Sequence, residues 1–376
     1  MNNRIIHKII FLLAFFAMIS SGQAQKVFYA PGNENRQVNT SHTPSRLLYT
    51  VYLLGDIKNS AIGKQNLLTL KQYINKEGKK SAVVILGDIV YPYGLPDSAN
   101  KGFAYAKQSL KQILQTFDNY DGKVFFLPGN HDWAKGRKEG WESVKNEEKY
   151  IEQHLQRGNV YLPDNGCPGP VEIELTSDIT LIIFDSQWWF QKNEKPGGGT
   201  CGFTNKGELF LQIKDALRRN RDKKVIFATH HPLYSVGEHG GYFPASYLLF
   251  PLLEIKDWLY LPLPGFVYVG YRKYMGNIQD LANPDYKAFR KTLLTIFQHY
   301  PNLIYAAGHE HNLEYLNKNG LHHIISGEEA KPVISHGKRR RLILPVNVAA
   351  SAGCHFMQTE MSEWILSVPI RHLQVK

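Results

Sequence analysis

Cysteine is scarce in this sequence, with three residues in 376. At most one internal disulfide can form, so the chain is no cysteine-stapled miniprotein. A Ser/Pro/Gly-rich linker, a low-complexity tract and a repeat at a solenoid period are all missing, which leaves nothing to divide the chain into halves. The formal net charge is +11, which favours anionic ligands by long-range steering. The basic residues are scattered, however, and do not form the aromatic-interleaved stripe of a nucleic-acid binder, so no nucleic-acid partner is expected. The N-terminal apolar run from Ile9 to Ile19 is short of the ~20 residues that span a bilayer. No cysteine follows that run to carry a lipid.

What is present is ordinary globular composition, 43% hydrophobic and 20% charged, enough for one large core. Residues 1–24 have a basic start (Arg4, Lys8), the apolar run, and small residues ending in Gly22-Gln23-Ala24. That is the layout of a cleaved secretory signal with the cut after Ala24, and it predicts export to the periplasm or beyond. Cys167 and Cys201 both lie in Gly/Pro-rich stretches. They are the natural pair for one disulfide, with three unpaired thiols as the alternative.

From Leu47 onward, short continuous apolar runs alternate with amphipathic stretches. Strands are expected at 47–56, 81–88, 123–132, 180–189, 223–232 and 302–311, and helices at 64–78, 104–120, 206–222 and 284–301. Unbroken apolar runs suit strands covered on both faces, and their alternation with helices predicts an α/β layered fold. Polar residues gather at the C-terminal ends of these runs: Asp56, Asp88, Asn130-His131-Asp132, His230-His231 and His309/His311. Ligand sites of open α/β sheets lie along that edge.

A single buried histidine is more often a core residue than a ligand. His309 and His311, alternating around Glu310 in an extended segment, can face one way and make a metal half-site. Asn130-His131-Asp132 adds an amide, an imidazole and a carboxylate. Turn chemistry accounts for Gly129-Asn130 but not for His131, and Asp132 is expected either to orient the His131 ring or to cap the next segment. Of the adjacent pair only one can share that direction, so His230 is the expected ligand and His231 a supporting residue. His239 follows in a glycine-flanked loop. Two aspartates, an asparagine and three histidines form a mixed N/O shell of the kind that holds two metal ions around one bridging carboxylate.

The ordered set Asp56, Gly87-Asp88-Ile89-Val90-Tyr91, Gly129-Asn130-His131-Asp132, His230 and Gly308-His309-Glu310-His311 resembles the calcineurin-like metallophosphoesterases over residues 47–327. Tyr91, three residues after Asp88, resembles the purple acid phosphatase branch, and "HHPLYSVGEHG" with "GHEHNLEYL" is similar to its small tartrate-resistant type. The resemblance implies a four-layer α/β/β/α sandwich. It implies a ferric site of Asp56, Asp88, Tyr91 and His311, and a divalent site (Fe, Zn or Mn) of Asp88, Asn130, His230 and His309, with Asp88 bridging. His131 and His239 would touch the phosphate or protonate the leaving group. Attack of a metal-bound hydroxide on a phosphate monoester, from a phosphorylated small molecule or phosphoprotein, is the implied reaction. An inert metal- or phosphate-binding protein on the same scaffold, or a phosphodiesterase or lipid-phosphate hydrolase, are the alternatives.

The chain departs from that pattern in three places. Lys58 follows Asp56 in "GDIKN", where a small or aromatic residue and a glycine are usual, and either binds phosphate or points outward. Residues 243–280 are rich in aromatics and prolines, and read either as a surface loop packed on the sheet or as a lid or membrane-contacting patch. After "HHIISG" the chain reads Glu328-Glu329-Ala330-Lys331. Codons GAR-GAR-GCN-AAR, read one base earlier, can encode Gly-Gly-Ser-Lys, so residues 328–376 are expected to be an out-of-frame tail.

Overall fold

A computed structural model describes residues 47–243, 249–250, 265–301, 303–318 and 320–327, with the strand backbones at 344–349, 355–358 and 364–369. The expected signal segment 1–24, most of the tail and residues 244–248 and 251–264 lie outside the described residues. Among the described residues no helix is long and apolar enough to cross a membrane.

Strand β1 (Leu47–Leu54) leads through helix α1 (Ala61–Glu77) to β2 (Ser81–Ile85), then through α2 (Phe103–Leu114) to β3 (Lys123–Phe126). Helix α3 (Gly140–Leu155) precedes the antiparallel pair β4 (Val171–Thr176) and β5 (Ile179–Ile183). Short helices α4 (Ser186–Phe190) and α5 (Gly198–Cys201) lead to α6 (Lys206–Arg219) and β6 (Lys224–Ala228). Helices α7 (Gly265–Tyr274) and α8 (Pro284–Phe297) come before β7 (Leu303–Ala307), β8 (Leu313–Lys318) and β9 (Leu321–Ser326). Three last strands follow: β10 (Leu344–Ala349), β11 (His355–Gln358) and β12 (Trp364–Pro369). They lie in the segment read above as an out-of-frame tail. Two six-stranded sheets result, ordered β11-β12-β10-β1-β2-β3 and β4-β5-β6-β7-β9-β8.

The side-chain alternation along each apolar run sorts the core into three layers. Val51, Leu53, Val84, Leu86 and Phe125 from the first sheet meet Leu181, Ile183, Ile226, Ala228 and Ile304 from the second. Tyr52, Leu54, Val83, Ile85 and Phe126 point the other way, onto α1, α2 and α3. Ile182, Phe184, Phe227 and Tyr305 pack on α6 and α8. The protein is therefore an α/β/β/α sandwich, and continuous apolar strands are what a sheet buried on both faces requires.

Several boundaries differ from expectation for local reasons. The helix expected to reach residue 120 stops at Leu114, because Phe117 and Tyr120 turn into the core and Asn119 takes a left-handed φ of 66°. The strand expected to reach residue 189 ends at Ile183. Asp185 caps α4 by accepting from the Trp188 N–H at 3.1 Å, so the tryptophans of 188–189 are helical. Helix α3 and strands β4, β8 and β9 were not anticipated.

Cys167 and Cys201 are disulfide-bonded across a sequence separation of 34, which settles the choice left open above. Closing a loop of that length constrains the unfolded chain by roughly 3–4 kcal/mol. Reduction, or Cys201→Ser, should lower stability by about that amount in denaturant melts; an unchanged midpoint would show the bridge to be idle.

Candidate metal centre

The C-terminal ends of the parallel strands β1, β2 and β3 in one sheet, and β6 and β7 in the other, open on the same side. Main-chain bonds lace their loops together. The Asp56 N–H donates to the Gly87 carbonyl at 2.9 Å, and the Gly308 N–H to the His230 carbonyl at 3.0 Å. Across the sheets, the His309 N–H donates to Asp56 Oδ2 at 2.8 Å. The strands expected to run on to residues 56, 88 and 311 stop short, because Asp56 (φ 56°), Asp88 (φ 53°) and His309 (φ 71°) are left-handed. Non-glycine residues in that region cost about 1 kcal/mol each and cluster at functional sites.

His309 thus does not alternate with His311 in an extended segment. The left-handed turn sends both rings to the centre and sends Glu310 away, where its Oε1 accepts from Ser235 Oγ at 2.5 Å and from the Gly240 N–H at 3.1 Å.

On one side of the centre, three lone pairs converge. His230 Nδ1 faces the Leu86 carbonyl at 2.8 Å, and His309 Nε2 faces the Gln279 carbonyl at 3.0 Å. A carbonyl only accepts, so both of those nitrogens carry the proton and the opposite nitrogens are bare. His230 Nε2 and His309 Nδ1 then lie 3.2 Å apart, each 3.0 Å from Asn130 Oδ1. Burial holds both imidazoles below their ordinary pKa, with neighbouring histidines lowering His309 further. Acceptors facing one another without a hydrogen between them need a cation, and a ligating histidine normally gives its far N–H to a carbonyl in this way.

On the other side, Tyr91 Oη lies 3.3 Å from Asp88 Oδ2 and 3.4 Å from Asp56 Oδ1, and His311 Nε2 lies 3.7 Å from Asp56 Oδ1. Burial, then the charge of Asp88, pushes both the Asp56 carboxyl and the Tyr91 phenol well above their usual ranges. A bound cation inverts that balance. Asp88 joins the two sides: its Oδ1 lies 3.4 Å from His230 Nε2 while Oδ2 meets Tyr91. Ligand atoms of Asp56, Asp88 and His230 all fall within 4.8 Å of one another. Donor types and spacing both fit metal binding.

The neighbouring residues take different parts. Asp132 does not touch the His131 ring. It accepts from the N–H groups of Ile89, Val90 and Gly129 at 2.9, 3.1 and 2.7 Å, pinning the Asp88 and Asn130 loops together. His131 gives its main-chain N–H to Asp88 Oδ1 at 2.8 Å, and its ring lies 4.1 Å from that of Tyr91. Burial lowers the His131 pKa to about 4. His231 is held between Ser186 Oγ at 2.7 Å and Gln279 Oε1 at 2.6 Å, and its ring packs on those of His309 and His230 at 4.6 and 5.1 Å.

His239 stacks on the His309 ring at 4.0 Å, and its Nδ1 meets Asp280 Oδ1 at 2.9 Å. Arg272 grips Asp280 through two bonds of 2.6 and 2.7 Å. Burial opposes charge on His239, but Asp280 outweighs it and raises the His239 pKa. Asp280, Arg272 and Gln279 were not anticipated, and nothing in "NIQDLANPD" marks an aspartate that meets a histidine 41 positions earlier. The described part of 243–280 is therefore a wall of the centre, and on its outer face Phe266, Val267, Tyr271 and Tyr274 are exposed.

Fold and site together define a metal-binding α/β sandwich protein. The chain belongs to the calcineurin-like phosphoesterase family, whose model matches residues 49–260; the family is one of hydrolases with a binuclear metal site. The search of curated proteins found no match. Among solved structures, the fold is similar to GAP50, the anchor in the inner membrane complex of Plasmodium, at 15% identity and a TM-score of 0.45, covering 79% of this chain and 76% of that one. It is also similar to PhoD, at 10% identity and a TM-score of 0.43, covering 75% and 57%. A third is the phosphopantetheinyl hydrolase PptH of Mycobacterium tuberculosis, at 10% identity and a TM-score of 0.30, covering 75% and 89%.

Proposed function

We propose that this chain is an exported phosphomonoesterase of the purple acid phosphatase type, using a ferric ion and a divalent ion (Fe, Zn or Mn). The observation that carries the reading is Asp88, whose two oxygens face a histidine–asparagine cluster on one side and a phenol on the other. Asn130, His230 and His309 would hold the divalent ion, and Asp56, Tyr91 and His311 the ferric one. When bound, such a pair activates water and neutralises charge on the phosphoryl oxygens. The N-terminal sequence and the disulfide support export to an oxidising compartment.

The protein's own groups supply the rest. The His131 N–H fixes one Asp88 oxygen and so sets the carboxylate plane. His239 gives Nδ1–H to Asp280, which leaves Nε2 to carry the proton passed to the leaving alkoxide. Asp280 and Arg272 hold that ring in place.

Turnover of a chromogenic phosphate monoester in preference to a diester is the test of substrate class, and preference for the diester would redirect it. Tyr91→Phe tests the ferric assignment. A phenolate on ferric iron gives a visible charge-transfer band, so the variant should lose its colour; persistence of the band would remove Tyr91 from the ligand set.

A further inference from the structure

Helix α7 and its last turn present their apolar side outward. Val267, Tyr271, Tyr274 and Met275 recur at the i, i+4, i+7 and i+8 spacing of one helical face, with Phe266 beside them. In a helix that covers a core, such a face turns inward. Here all five are exposed, by 45–70%. Arg272, which points away from that face, is buried instead and bonded to Asp280 and to the Tyr268 hydroxyl. Among the described residues twelve large apolar side chains are exposed; these are five of them, and the neighbouring Tyr242 is a sixth. Apolar exposure is therefore concentrated here rather than scattered, and a concentrated patch marks a binding surface.

We propose that α7 lays this face on an anionic lipid bilayer and so seats the metal centre at a membrane surface. Size argues against a protein partner. A helix of 10 residues is about 15 Å long and about 10 Å wide, a strip of roughly 150 Å². Each partner in a stable protein complex buries about 800 Å². At a bilayer one amphipathic helix is enough, because it lies in the plane of the interface. Composition agrees with that occupant. Tyr242, Tyr271 and Tyr274 carry an apolar ring and a polar tip, the combination that settles at headgroup level. Lys273 stands among them, its Nζ 5.9 Å from the ring centroids of both Tyr242 and Tyr274. No acidic residue lies between Gly265 and Gly276, so the face complements anionic headgroups. The Arg272–Asp280 pair ties the inner side of the helix to His239. A membrane under α7 then lies beside the centre, whatever reaction is performed there.

Flotation of the full chain with phosphatidylcholine vesicles, with and without phosphatidylglycerol, is the test. Wild type should float with the anionic vesicles and come off as salt is raised. Phe266→Ser combined with Tyr274→Ser should weaken that binding by at least about tenfold. Lys273→Gln should weaken it by about fivefold, and both variants should melt as wild type does. Val267→Ser with Tyr271→Ser serves if the first pair does not fold. The apolar run Ile9–Ile19 is common to every chain compared, so the differences between chains report on α7. Tyr274→Trp adds a local readout, because brominated lipid should quench its extra emission when the face is inserted. Binding unchanged in the serine variants, an added indole that escapes quenching, or equal binding to neutral vesicles overturns the proposal. So does wild type that ignores vesicles and forms a concentration-dependent dimer lost in the serine variants, which would assign the face to a second copy of the chain.

Discussion

Asp88→Ala should abolish turnover of a phosphate monoester, by at least about 10³-fold, and should lower the metal content of the purified protein. The expectation follows from position. Asp88 is buried, its Oδ1 is 3.4 Å from His230 Nε2 and accepts the His131 N–H, and its Oδ2 is 3.3 Å from Tyr91 Oη. No neighbour duplicates that span, since Asp56 meets Tyr91 and His309 but not the His230 ring nitrogen that faces the cluster. Alanine therefore removes the group that both ions would share and leaves their repulsion unrelieved. Asp88→Asn separates charge from strain, because asparagine tolerates the left-handed φ of 53°. Both variants should be inactive and folded. Activity within tenfold of wild type in Asp88→Asn would show that the carboxylate is not shared.

Gly129→Ala should destabilise the protein by about 3 kcal/mol and empty the centre as well. A Cβ at residue 129 would lie 2.5 Å from the Asp88 main-chain nitrogen and 2.7 Å from Cε1 of the His230 ring. Neither neighbour can yield. The Asp88 loop is pinned by Asp132, and His230 is tied through Nδ1 to the Leu86 carbonyl. Relief would have to come from separating the β2 and β3 loops, which carry Asp88 and Asn130. Gly199→Ala is the matched control, with nothing within 4 Å of its added Cβ, and should leave the melt unchanged. A thermal melt of Gly129→Ala equal to that control would mean the loops are looser than their bonding indicates.

The legible and illegible parts of the sequence divide by range of interaction. Helix α3 escaped notice because its inward stripe is partly polar: Ser143 and Glu147 are buried along with Val144 and Ile151. Glu147 is acceptable there only because the Leu95 N–H and the Tyr161 hydroxyl donate to it. Those partners lie 52 and 14 residues away, beyond any helical periodicity. Asp280 was missed for the same reason. Its value lies in His239 and Arg272, which the chain brings to it only after α7 has packed beside the His239 loop. Asp132 shows the converse case. Its carboxylate sits next to a candidate catalytic histidine in sequence, yet its hydrogen bonds go to main-chain N–H groups.

By itself, the sequence determined the layering and the edge of the sheets that would carry the site. Apolar runs without alternation demand cover on both faces, and polar residues at their C-terminal ends have one common side on which to emerge. Only the tertiary structure decided which nitrogens face the centre, which carboxylate spans it, and where Lys58 rests, with Nζ 3.4 Å from His311 Nδ1. Those are matters of a few ångströms between residues up to 253 positions apart, as with Asp56 and His309. They depend on left-handed turns at Asp56, Asp88 and His309 and on carbonyls at Leu86 and Gln279 that assign the protons, and no local pattern of residue types encodes either.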